Sequence, residues 1–319
     1  MRSLYRSLLL AAAVLVFGTV PAQAQDFPSK PITMIVPWNA GGGMDVFARI
    51  LEPILVKELG QPFAFVYKPG ASGSIGAAAM LAAKPDGYTI CTNMLDSQFL
   101  NPLLGVGNFN VEDSAPITIF AEDANVMCVL KDSPFKTLAD VEKAAKANPG
   151  KIVVGCGDRS GQAVALLMQK RGIPVKMVPF VSGVKAGTAL LSKQIDVCIH
   201  PVGAFMNTVR DRADVLALAA GKRSPLLPDV PTTVEQGYDD LRADAGRGFF
   251  CHKDVPDAVK ARLSAAFEKA CTDPTVVERA RNSGIVIDFN DYKASAEKLK
   301  GMMPRFENTA ALFKSAQKK

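Results

Sequence analysis

Three loops of small residues carry the chemistry that this sequence can support. They span residues 39–45, 70–76 and 156–161, and each follows an apolar run and opens a segment with helical periodicity. The first N–H groups of a helix have no partner within the helix, and the helix dipole makes that end electropositive. Glycines in such a loop let the backbone approach a ligand closely. The pattern therefore indicates binding of a carboxylate or a phosphate.

Nucleotide-binding motifs are missing from these loops or only partly matched. A phosphate-binding P-loop ends in Gly-Lys-Ser/Thr, whereas Gly43 is followed by Met44. Residues 155–161 resemble a dinucleotide fingerprint but carry one residue too many before the last glycine. For residues 39–45 taken alone, a tight connection that needs positive φ is an equally good interpretation. We therefore expect an anion site without a nucleotide or any other cofactor.

Polar residues near the loops could complete such a site. Arg159 and Arg247 offer bidentate donors suited to a second carboxylate, although a surface or interdomain ion pair is the favoured role of each taken singly. Asp96 follows a strand end, where open α/β sheets place their ligands, and could accept a hydrogen bond from a ligand amine or hydroxyl. Capping of a short helix is the favoured alternative for Asp96.

Catalytic and metal-binding patterns are scarce. The two histidines, His200 and His252, lie outside the Gly-x-Ser-x-Gly and His-Glu-x-x-His motifs, and His200 is better interpreted as a core or cleft-edge residue than as a base. No two cysteines have a CxxC or zinc-ligand spacing. We expect no metal site and mostly buried free thiols, with one disulfide left open. The cysteines are Cys91, Cys128, Cys156, Cys198, Cys251 and Cys271.

The first 24 residues have the features of an export signal. Arg2 and Arg6 precede the apolar residues 8–17, and Ala22-Gln23-Ala24 supplies the small-x-small pattern of a cleavage site. The apolar run is shorter than the roughly 20 residues that a membrane span needs. We therefore predict a signal peptide at residues 1–24, cleavage near Gln25 and a periplasmic mature protein.

The composition of the chain indicates a two-domain globular protein. The 319 residues are 48% hydrophobic and 21% charged, which is ample for two cores. The formal net charge of +6 falls to +4 once the two arginines of the signal are removed. This mild excess favours an anionic small ligand, and the lack of a clustered Lys/Arg stripe argues against a nucleic-acid partner.

Strand and helix patterns alternate at short intervals, as in parallel sheets covered by helices. The series restarts near residues 121–131, so we predict two α/β domains, with residues 25–124 and 252–319 in the first and residues 125–251 in the second. Residues 93–107 are predicted as a polar, turn-rich loop. The predicted helices are 44–59, 77–83, 138–147, 161–171, 184–193, 258–271, 274–282 and 293–314. The predicted strands include 115–120, 125–130, 195–200, 247–252 and 285–289.

A set of motifs distributed along the chain resembles a known family. They are Lys30-Pro31-Ile32, Val36-Pro37-Trp38-x-Ala40-Gly41-Gly42-x-x-Asp45, Leu59-Gly60-Gln61-Pro62, Lys68-Pro69-Gly70-Ala71-x-Gly73-x-Ile75-Gly76-Ala77, Pro85-Asp86-Gly87-Tyr88-Thr89 and Leu227-Pro228-Asp229-Val230-Pro231-Thr232. From residue 28 to the C-terminus the chain resembles the Bug (TctC-like) family, the periplasmic solute receptors of tripartite tricarboxylate transporters. The combination of motifs is highly specific.

The resemblance implies a Venus-flytrap protein, that is, a type II periplasmic-binding-protein fold of two α/β domains joined by two crossing strands. It implies that the Ala-Gly-Gly loop and helix N-termini from both domains hold one ligand carboxylate, partly through water. The implied partners are a small carboxylate and the membrane subunits of the transporter, with the receptor as a monomer. With the polar residues above, the predicted ligand-binding set is Trp38, Ala40, Gly41, Gly42, Asp45, Ser72, Gly73, Asp96, Gly157, Arg159, Ser160, Gly161, Val181 and Arg247.

Three departures from the family pattern affect the far end of the pocket. Asp96-Ser97-Gln98-Phe99 replaces a Ser/Thr-rich stretch with a histidine, residues 154–160 replace a Tyr-Gly-Ser-x-Gly-x-Gly stretch, and Arg247 replaces an aromatic residue. The resemblance thus implies that one carboxylate is still anchored. Arg159 and Arg247 predict a second anionic or strongly polar group on the ligand, unless water or a nearby acid neutralises them.

We therefore expect a binding protein for a small carboxylate, either a di- or tricarboxylate or an aromatic acid, that serves a tripartite transporter and is not an enzyme. A receptor that presents its ligand to a sensor kinase is the main alternative. A periplasmic hydrolase or transferase that uses Asp45 or His200 is the alternative from a different class.

A substitution in the first glycine loop tests whether its backbone binds the anion. We predict that Gly42→Val abolishes ligand binding and leaves the fold near native, because the added carbons occupy ligand space. Titration calorimetry with a carboxylate that binds the wild type, together with circular dichroism, measures both properties. Wild-type affinity in the variant would contradict the prediction.

Overall fold

The protein consists of two α/β lobes, each built around its own sheet. The computed structural model describes residues 27–180, 182–243 and 245–317, so the predicted signal and the predicted contact Val181 lie outside the described residues. Within these ranges ten strands form two five-stranded sheets. No helix in the described ranges is both long enough and apolar enough to cross a membrane. Lobe I is the set of elements around the sheet that contains the first strand, and lobe II surrounds the other sheet.

Both sheets repeat the same mixed arrangement. The strands are β1 (Ile32–Val36), β2 (Phe63–Tyr67), β3 (Thr89–Met94), β4 (Ser114–Asp123), β5 (Asn125–Leu130), β6 (Val153–Cys156), β7 (Lys176–Pro179), β8 (Val197–Pro201), β9 (Ala213–Ala219) and β10 (Ala245–His252). Sheet I has the order β2-β1-β3-β10-β4, and sheet II has the order β7-β6-β8-β5-β9. In sheet I, β1 is parallel to β2 and β3, whereas β10 is antiparallel to β3 and β4. In sheet II, β6 is parallel to β7 and β8, whereas β5 is antiparallel to β8 and β9.

Helices pack on the sheets of both lobes. They are α1 (Gly43–Leu59), α2 (Ser74–Leu81), α3 (Leu138–Ala147), α4 (Arg159–Lys170), α5 (Gly183–Leu191), α6 (Val202–Thr208), α7 (Asp257–Thr272), α8 (Pro274–Asn282) and α9 (Tyr292–Ala316). A π-helical turn, Asp96–Leu100, and a short α-helical turn, Asn101–Leu103, follow β3. Local sequence explains several boundaries. Thr137 and Asp140 form a capping box at the start of α3, and Gly60 ends α1 with the left-handed φ of 69° that glycine tolerates.

Aromatic packing holds lobe I together and extends to lobe II. The Phe120 ring stacks on Phe47 of α1 with centroids 4.3 Å apart and lies 5.3 Å from Phe249 of β10. A separate apolar cluster joins Leu166 of α4 in lobe II to Phe306 of α9 in lobe I. Each buried side chain of this size stabilises the fold by roughly 1.5–3 kcal/mol. Helix α4 is therefore tied to both lobes.

The chain crosses between the lobes twice. It leaves sheet I at Ala124, between β4 and β5, and returns between β9 and β10. Strand β10 pairs with β3 and β4, so by sheet membership the return precedes the predicted limit at residue 252. We therefore propose that the second domain limit lies just before Ala245.

Some segments differ from the sequence prediction. Residues 93–107, predicted as a polar loop, contain the buried π-helical turn, because Phe99 packs against Phe250 and Phe306. Residues 285–289 do not form the predicted strand. This segment makes isolated contacts with β4, such as the hydrogen bond of 2.7 Å from the Asp288 amide to a backbone carbonyl. The sequence prediction did not include α6 and β9.

Two glycines bring the lobes together beside the crossing. Gly203 lies in α6 of lobe II, and Gly284 follows α8 of lobe I with a φ of 77°. A Cβ on Gly284 would lie 2.5 Å from the Gly203 Cα. The two backbones can approach this closely only because neither residue has a side chain.

We predict that Gly284→Ala lowers the free energy of unfolding by about 2 kcal/mol or more. The left-handed conformation alone costs alanine roughly 1–2 kcal/mol, and the new Cβ also meets the backbone of Gly203. The control is Gly301→Ala, an exposed position in α9 where an added Cβ has no atom within 4 Å; it should be neutral or stabilise by up to about 1 kcal/mol. Urea denaturation measures both variants, and equal effects would argue against the close contact.

Candidate ligand-binding site

The predicted site residues lie at the carboxyl ends of parallel strands, on facing edges of the two lobes. Strand β1 ends at Val36, before the first glycine loop, and β3 ends at Met94, just before Asp96. In lobe II, β6 ends at Cys156, directly before the third loop. The Ser160 amide of lobe II lies beside the Asp96 carboxylate of lobe I, and Arg159 Nε of lobe II donates to Asn101 Oδ1 of lobe I at 3.3 Å. These contacts bring the two edges together around one cleft.

Asp45 holds the first glycine loop in shape. Its carboxylate accepts hydrogen bonds from the Gly41 amide at 2.7 Å, from the Tyr67 hydroxyl at 2.9 Å and from Arg49 Nε at 3.1 Å. Ala40 and Gly41 are exposed at the tip, and Gly41 has a φ of 78°. Asp45 therefore shapes the loop through its bonds to protein donors, and its contact with a ligand stays a prediction. The Gly41 amide is likewise used within the loop.

The donors that lobe I offers to a ligand are the Trp38 indole and the start of α1. Among the described residues, Trp38 Nε1 is buried and has no hydrogen-bond partner. Helix α1 begins at Gly43, whose amide belongs to the first turn. A Cβ on Gly43 would lie 3.8 Å from Arg247 Nη1, so this guanidinium is beside the helix start. The start of α1 and the Arg247 guanidinium thus lie together, and Trp38 is close to the same loop, since a Cβ on Gly42 would lie 4.0 Å from the Trp38 Cβ.

The space beside Gly42 is tighter than the sequence suggests. The Gly42 amide donates to the Asn39 carbonyl at 3.1 Å, and a Cβ on Gly42 would lie 3.1 Å from that same oxygen. Gly42→Val would therefore displace the loop backbone as well as the ligand.

The second loop packs against Trp38. Ser72 has a φ of 51° and Gly73 a φ of 90°. A Cβ on Gly73 would lie 3.3 Å from Trp38 Cζ2, and Asn101 Nδ2 fixes the loop by donating to the Ser72 carbonyl at 3.1 Å. The structure thus brings Ser72 and Gly73 next to the Trp38 side chain. Their contact with a ligand stays a prediction.

The third loop forms the N-terminus of α4. Asp158 is the N-cap, and its Oδ1 accepts from the Gly161 amide at 2.7 Å. Asn125, at the start of β5, donates to the Ser160 hydroxyl at 2.9 Å. A Cβ on Gly157 would lie 2.4 Å from the Gly183 Cα at the start of α5, so only glycine fits there. Among the described residues, Asp158 Oδ2 and Asn125 Oδ1 are buried acceptors without a hydrogen-bond partner. A ligand donor would satisfy such acceptors.

Arg159 connects the lobes instead of standing free in the cleft. Its Nε donates to Asn101 Oδ1 of lobe I at 3.3 Å, and its Nη1 donates to Gln162 Oε1 at 3.3 Å. Its guanidinium carbon also lies 5.6 Å from the centroid of the Phe313 ring in α9. These contacts are of the interdomain kind that the sequence left open for this arginine. Arg247 is 8% exposed in β10 and remains a predicted ligand contact.

Two buried carboxylates, Asp96 and Asp158, lie near each other at the start of α4. Burial raises the pKa of Asp96, against the lowering effect of hydrogen bonds from the Ser97 and Ser160 amides. Burial and, after it, the charge of Asp96 raise the pKa of Asp158 to about 7. Two neighbouring carboxylates cannot both ionise without a large electrostatic cost. The part of the cleft around the start of α4 is therefore acidic, where the sequence predicted a ligand contact by Arg159.

One cluster of side chains lies beneath the third loop and was missed by sequence reasoning. The Sγ atoms of Cys128 and Cys198 and a ring nitrogen of His200 lie within 4.8 Å of one another. A hydrogen bond from the Cys128 thiol, together with His200, lowers the pKa of Cys198 to about 6. The expectation that no Cys/His set is clustered is thus wrong, because the three residues meet across neighbouring strands. All six cysteines are buried free thiols, as expected.

Two α/β lobes joined by two crossings, with polar groups at facing strand ends, define a type II periplasmic binding protein of the Venus-flytrap kind. The family described as tripartite tricarboxylate transporter family receptor matches residues 47–303 of this chain. The chain belongs to that family, which confirms the resemblance found in its motifs.

Individual proteins agree with this assignment. A UPF0065 protein in the tcbD-tcbE intergenic region of Pseudomonas sp. (strain P51) is 32% identical over 291 residues, which are 88% of this chain and 86% of the relative. The structure of the periplasmic binding protein BugD has a TM-score of 0.75 and 26% identity, covering 91% of this chain and 99% of that chain. MatC from Rhodopseudomonas palustris with bound malate shares the fold, with a TM-score of 0.76 and 24% identity over 89% of this chain and 100% of that chain.

The raised pKa of Asp158 predicts how stability depends on pH. At Asp158 the folded protein binds more protons than the unfolded chain between the ordinary pKa of 3.8 and about 7, so the contribution of this group to the free energy of unfolding falls as pH rises through this window. Asp158→Asn should remove this loss while keeping an N-cap oxygen. At pH 8 the variant should be more stable by up to about 4 kcal/mol, because each pKa unit is worth about 1.4 kcal/mol.

Urea denaturation of both proteins from pH 4 to pH 8 measures this difference. Asp211→Asn, at an exposed position, serves as the control and should keep the wild-type pH dependence. An Asp158→Asn curve parallel to the wild-type curve would show that this carboxylate is not the titrating group.

Proposed function

We propose that this protein is an extracytoplasmic receptor that captures a small carboxylate between its lobes and delivers it to the membrane subunits of a tripartite tricarboxylate transporter. The observation that carries the proposal is the Trp38 indole N–H, a buried donor without a partner among the described residues. The dipole of α1 and the Arg247 guanidinium favour negative charge at the start of α1, in the loop that follows Trp38. The chain's family and the malate bound to MatC agree with this ligand class.

The two ends of the proposed site select different chemical groups. The lobe I end offers donors, which suit the ligand carboxylate. The lobe II end offers the buried acceptors Asp158 Oδ2 and Asn125 Oδ1, which suit a hydroxyl, an ammonium or a protonated acid. A second ionised carboxylate would instead meet the charge shared by Asp96 and Asp158. We therefore propose that the ligand pairs one carboxylate with a hydrogen-bond donor, and that dicarboxylates bind more weakly as pH rises.

We also propose that the ligand is bound without being transformed. Of the residues considered for catalysis, Asp45 is engaged by the first loop, and the His200 side chain has no exposed surface. A general base must reach the proton that it removes. Incubation of the purified protein with each ligand, followed by mass spectrometry of the recovered ligand, would reveal any product.

Export and a monomeric state complete the proposal. We expect residues 1–24 to be removed on export to the periplasm. We expect the mature receptor to be a monomer, with one ligand-binding cleft. Intact-mass measurement of the protein recovered from the periplasm locates the cleavage site, and light scattering gives the mass in solution. A mass that includes residues 1–24 would overturn the proposed processing.

The only tryptophan of the chain, Trp38, makes ligand binding directly measurable. Titration with mono-, di-, tri- and hydroxycarboxylates, aromatic acids and amino acids should change its fluorescence for the true ligand class. Neutral amides of the same acids form the matched control and should give no change. If the amides bind as well as the acids, the site does not recognise a carboxylate.

We predict that Trp38→Phe weakens binding of the best acid from that panel by roughly 10- to 100-fold, because a hydrogen bond to a charged group contributes about 1.5–3 kcal/mol. Titration calorimetry measures this, since the variant lacks the fluorophore. Tyr292→Phe, which alters an aromatic side chain at the start of α9, should keep wild-type affinity. Unchanged affinity in Trp38→Phe would exclude the indole as the anchor.

A further inference from the structure

The cluster formed by Cys128, Cys198 and His200 has the arrangement of a set of metal ligands. Cys128 of β5 lies directly opposite Cys198 of the antiparallel strand β8. His200 is two residues beyond Cys198, so both side chains project from the same face of β8. Side chains at directly opposite positions lie close together in an antiparallel pair. Three soft or borderline donors therefore share one face of sheet II.

The hydrogen bonding of His200 leaves one ring nitrogen for a metal. His200 Nδ1 lies 3.1 Å from the Gly183 carbonyl oxygen, which can only accept, so Nδ1 carries the proton. The lone pair is then on Nε2, which lies 3.6 Å from Cys128 Sγ. A metal-bound histidine usually donates its other N–H to a carbonyl or carboxylate in this way. The tautomer that binds a metal is thus already selected.

The distances agree with coordination. Tetrahedral zinc with Zn–S of about 2.3 Å and Zn–N of about 2.1 Å places a sulfur and a nitrogen about 3.6 Å apart and two sulfurs about 3.8 Å apart. The observed separation of Cys128 Sγ and His200 Nε2 is 3.6 Å, and all three donor atoms lie within 4.8 Å. A small movement of the Cys198 side chain would bring all three donor atoms to coordination distance of one metal ion.

The surroundings favour a structural site. All three side chains are fully buried in lobe II, where Cys128 lies at an irregularity in the pairing of β5 with β9. Such bulges are frequent next to functional sites. A Cβ on Gly157 would lie 3.1 Å from the His200 Cβ, so the cluster is directly below the third loop of the cleft.

We propose that Cys128, Cys198 and His200 form a buried site for a thiophilic d10 metal ion, Zn²⁺ or Cu⁺. Binding replaces the two thiol protons, which leave to solvent, by two metal–sulfur bonds, and adds one bond to His200 Nε2. Soft thiolates with an imidazole suit both ions. Three protein donors satisfy trigonal coordination of Cu⁺. Tetrahedral Zn²⁺ would have one further coordination position, which these three residues do not fill. The ion would lock β5 to β8 beneath the ligand cleft.

Cobalt titration of the reduced, chelator-treated mature protein tests the Zn²⁺ arm. One equivalent of Co²⁺ should produce thiolate-to-cobalt charge-transfer absorption, which Zn²⁺ then abolishes. Cys198→Ser should weaken binding by at least roughly 100-fold, since changes outside the ligand set alone cost 10- to 100-fold. Cys271→Ser, a buried cysteine of lobe I, is the matched control and should bind like the wild type.

The Cu⁺ arm uses an anaerobic competition with a colorimetric Cu⁺ chelator, in which the wild type should withdraw one equivalent and His200→Gln markedly less. X-ray absorption of the loaded wild type should show two sulfur neighbours and one nitrogen neighbour, which identifies the ligands even if a variant fails to fold. Absence of tight binding in both arms would overturn the proposal. So would equal loss in Cys271→Ser, or a Cys128–Cys198 disulfide in protein isolated from the periplasm without reductant.

Discussion

The N-terminus of α4 is the constraint on which the arrangement of the two lobes depends. Its first turn lies in a buried environment, and groups from both lobes surround it. Asp158 caps the helix from within lobe II, and the Asp96 carboxylate of lobe I lies beside the Ser160 amide. Arg159 and Leu166 of the same helix contact lobe I groups. One helix end therefore links the lobes through hydrogen bonds, charge and apolar packing together.

This constraint makes the two sides of the cleft chemically unequal. In lobe I, Asp45 holds the first loop, so the Trp38 N–H and the start of α1 remain as donors. At the start of α4 in lobe II, Asp158 caps the helix with one oxygen and keeps the other buried, and Asp96 of lobe I lies nearby. A ligand that bridges the lobes must match a donor-rich wall and an acceptor-rich wall.

Local patterns predicted most of the elements because short-range physics determines them. The capping box at Thr137, and the N-cap Asp273 with Pro274 as the first residue of α8, set helix boundaries that agree with the predicted 138–147 and 274–282. The prediction failed where a distant partner decides the conformation. Phe99 makes the segment after β3 helical by packing against Phe250 and Phe306, which lie more than a hundred residues away. Residues 285–289 lie beside β4 and bond to it, but they do not form a strand.

The sequence by itself determined the family, the α/β class and the three small-residue loops, because glycines, turn residues and apolar periodicity act over a few neighbouring positions. Only the tertiary structure decided what the polar side chains do. Whether Arg159 faces a ligand or Asn101, and whether Asp96 caps a turn or meets Ser160, depends on how closely the lobes approach. The proximity of Cys128 to Cys198 depends on the register of β5 against β8. Strand register and lobe approach are set by contacts between residues far apart in the chain, and no local pattern in one sequence encodes those distances.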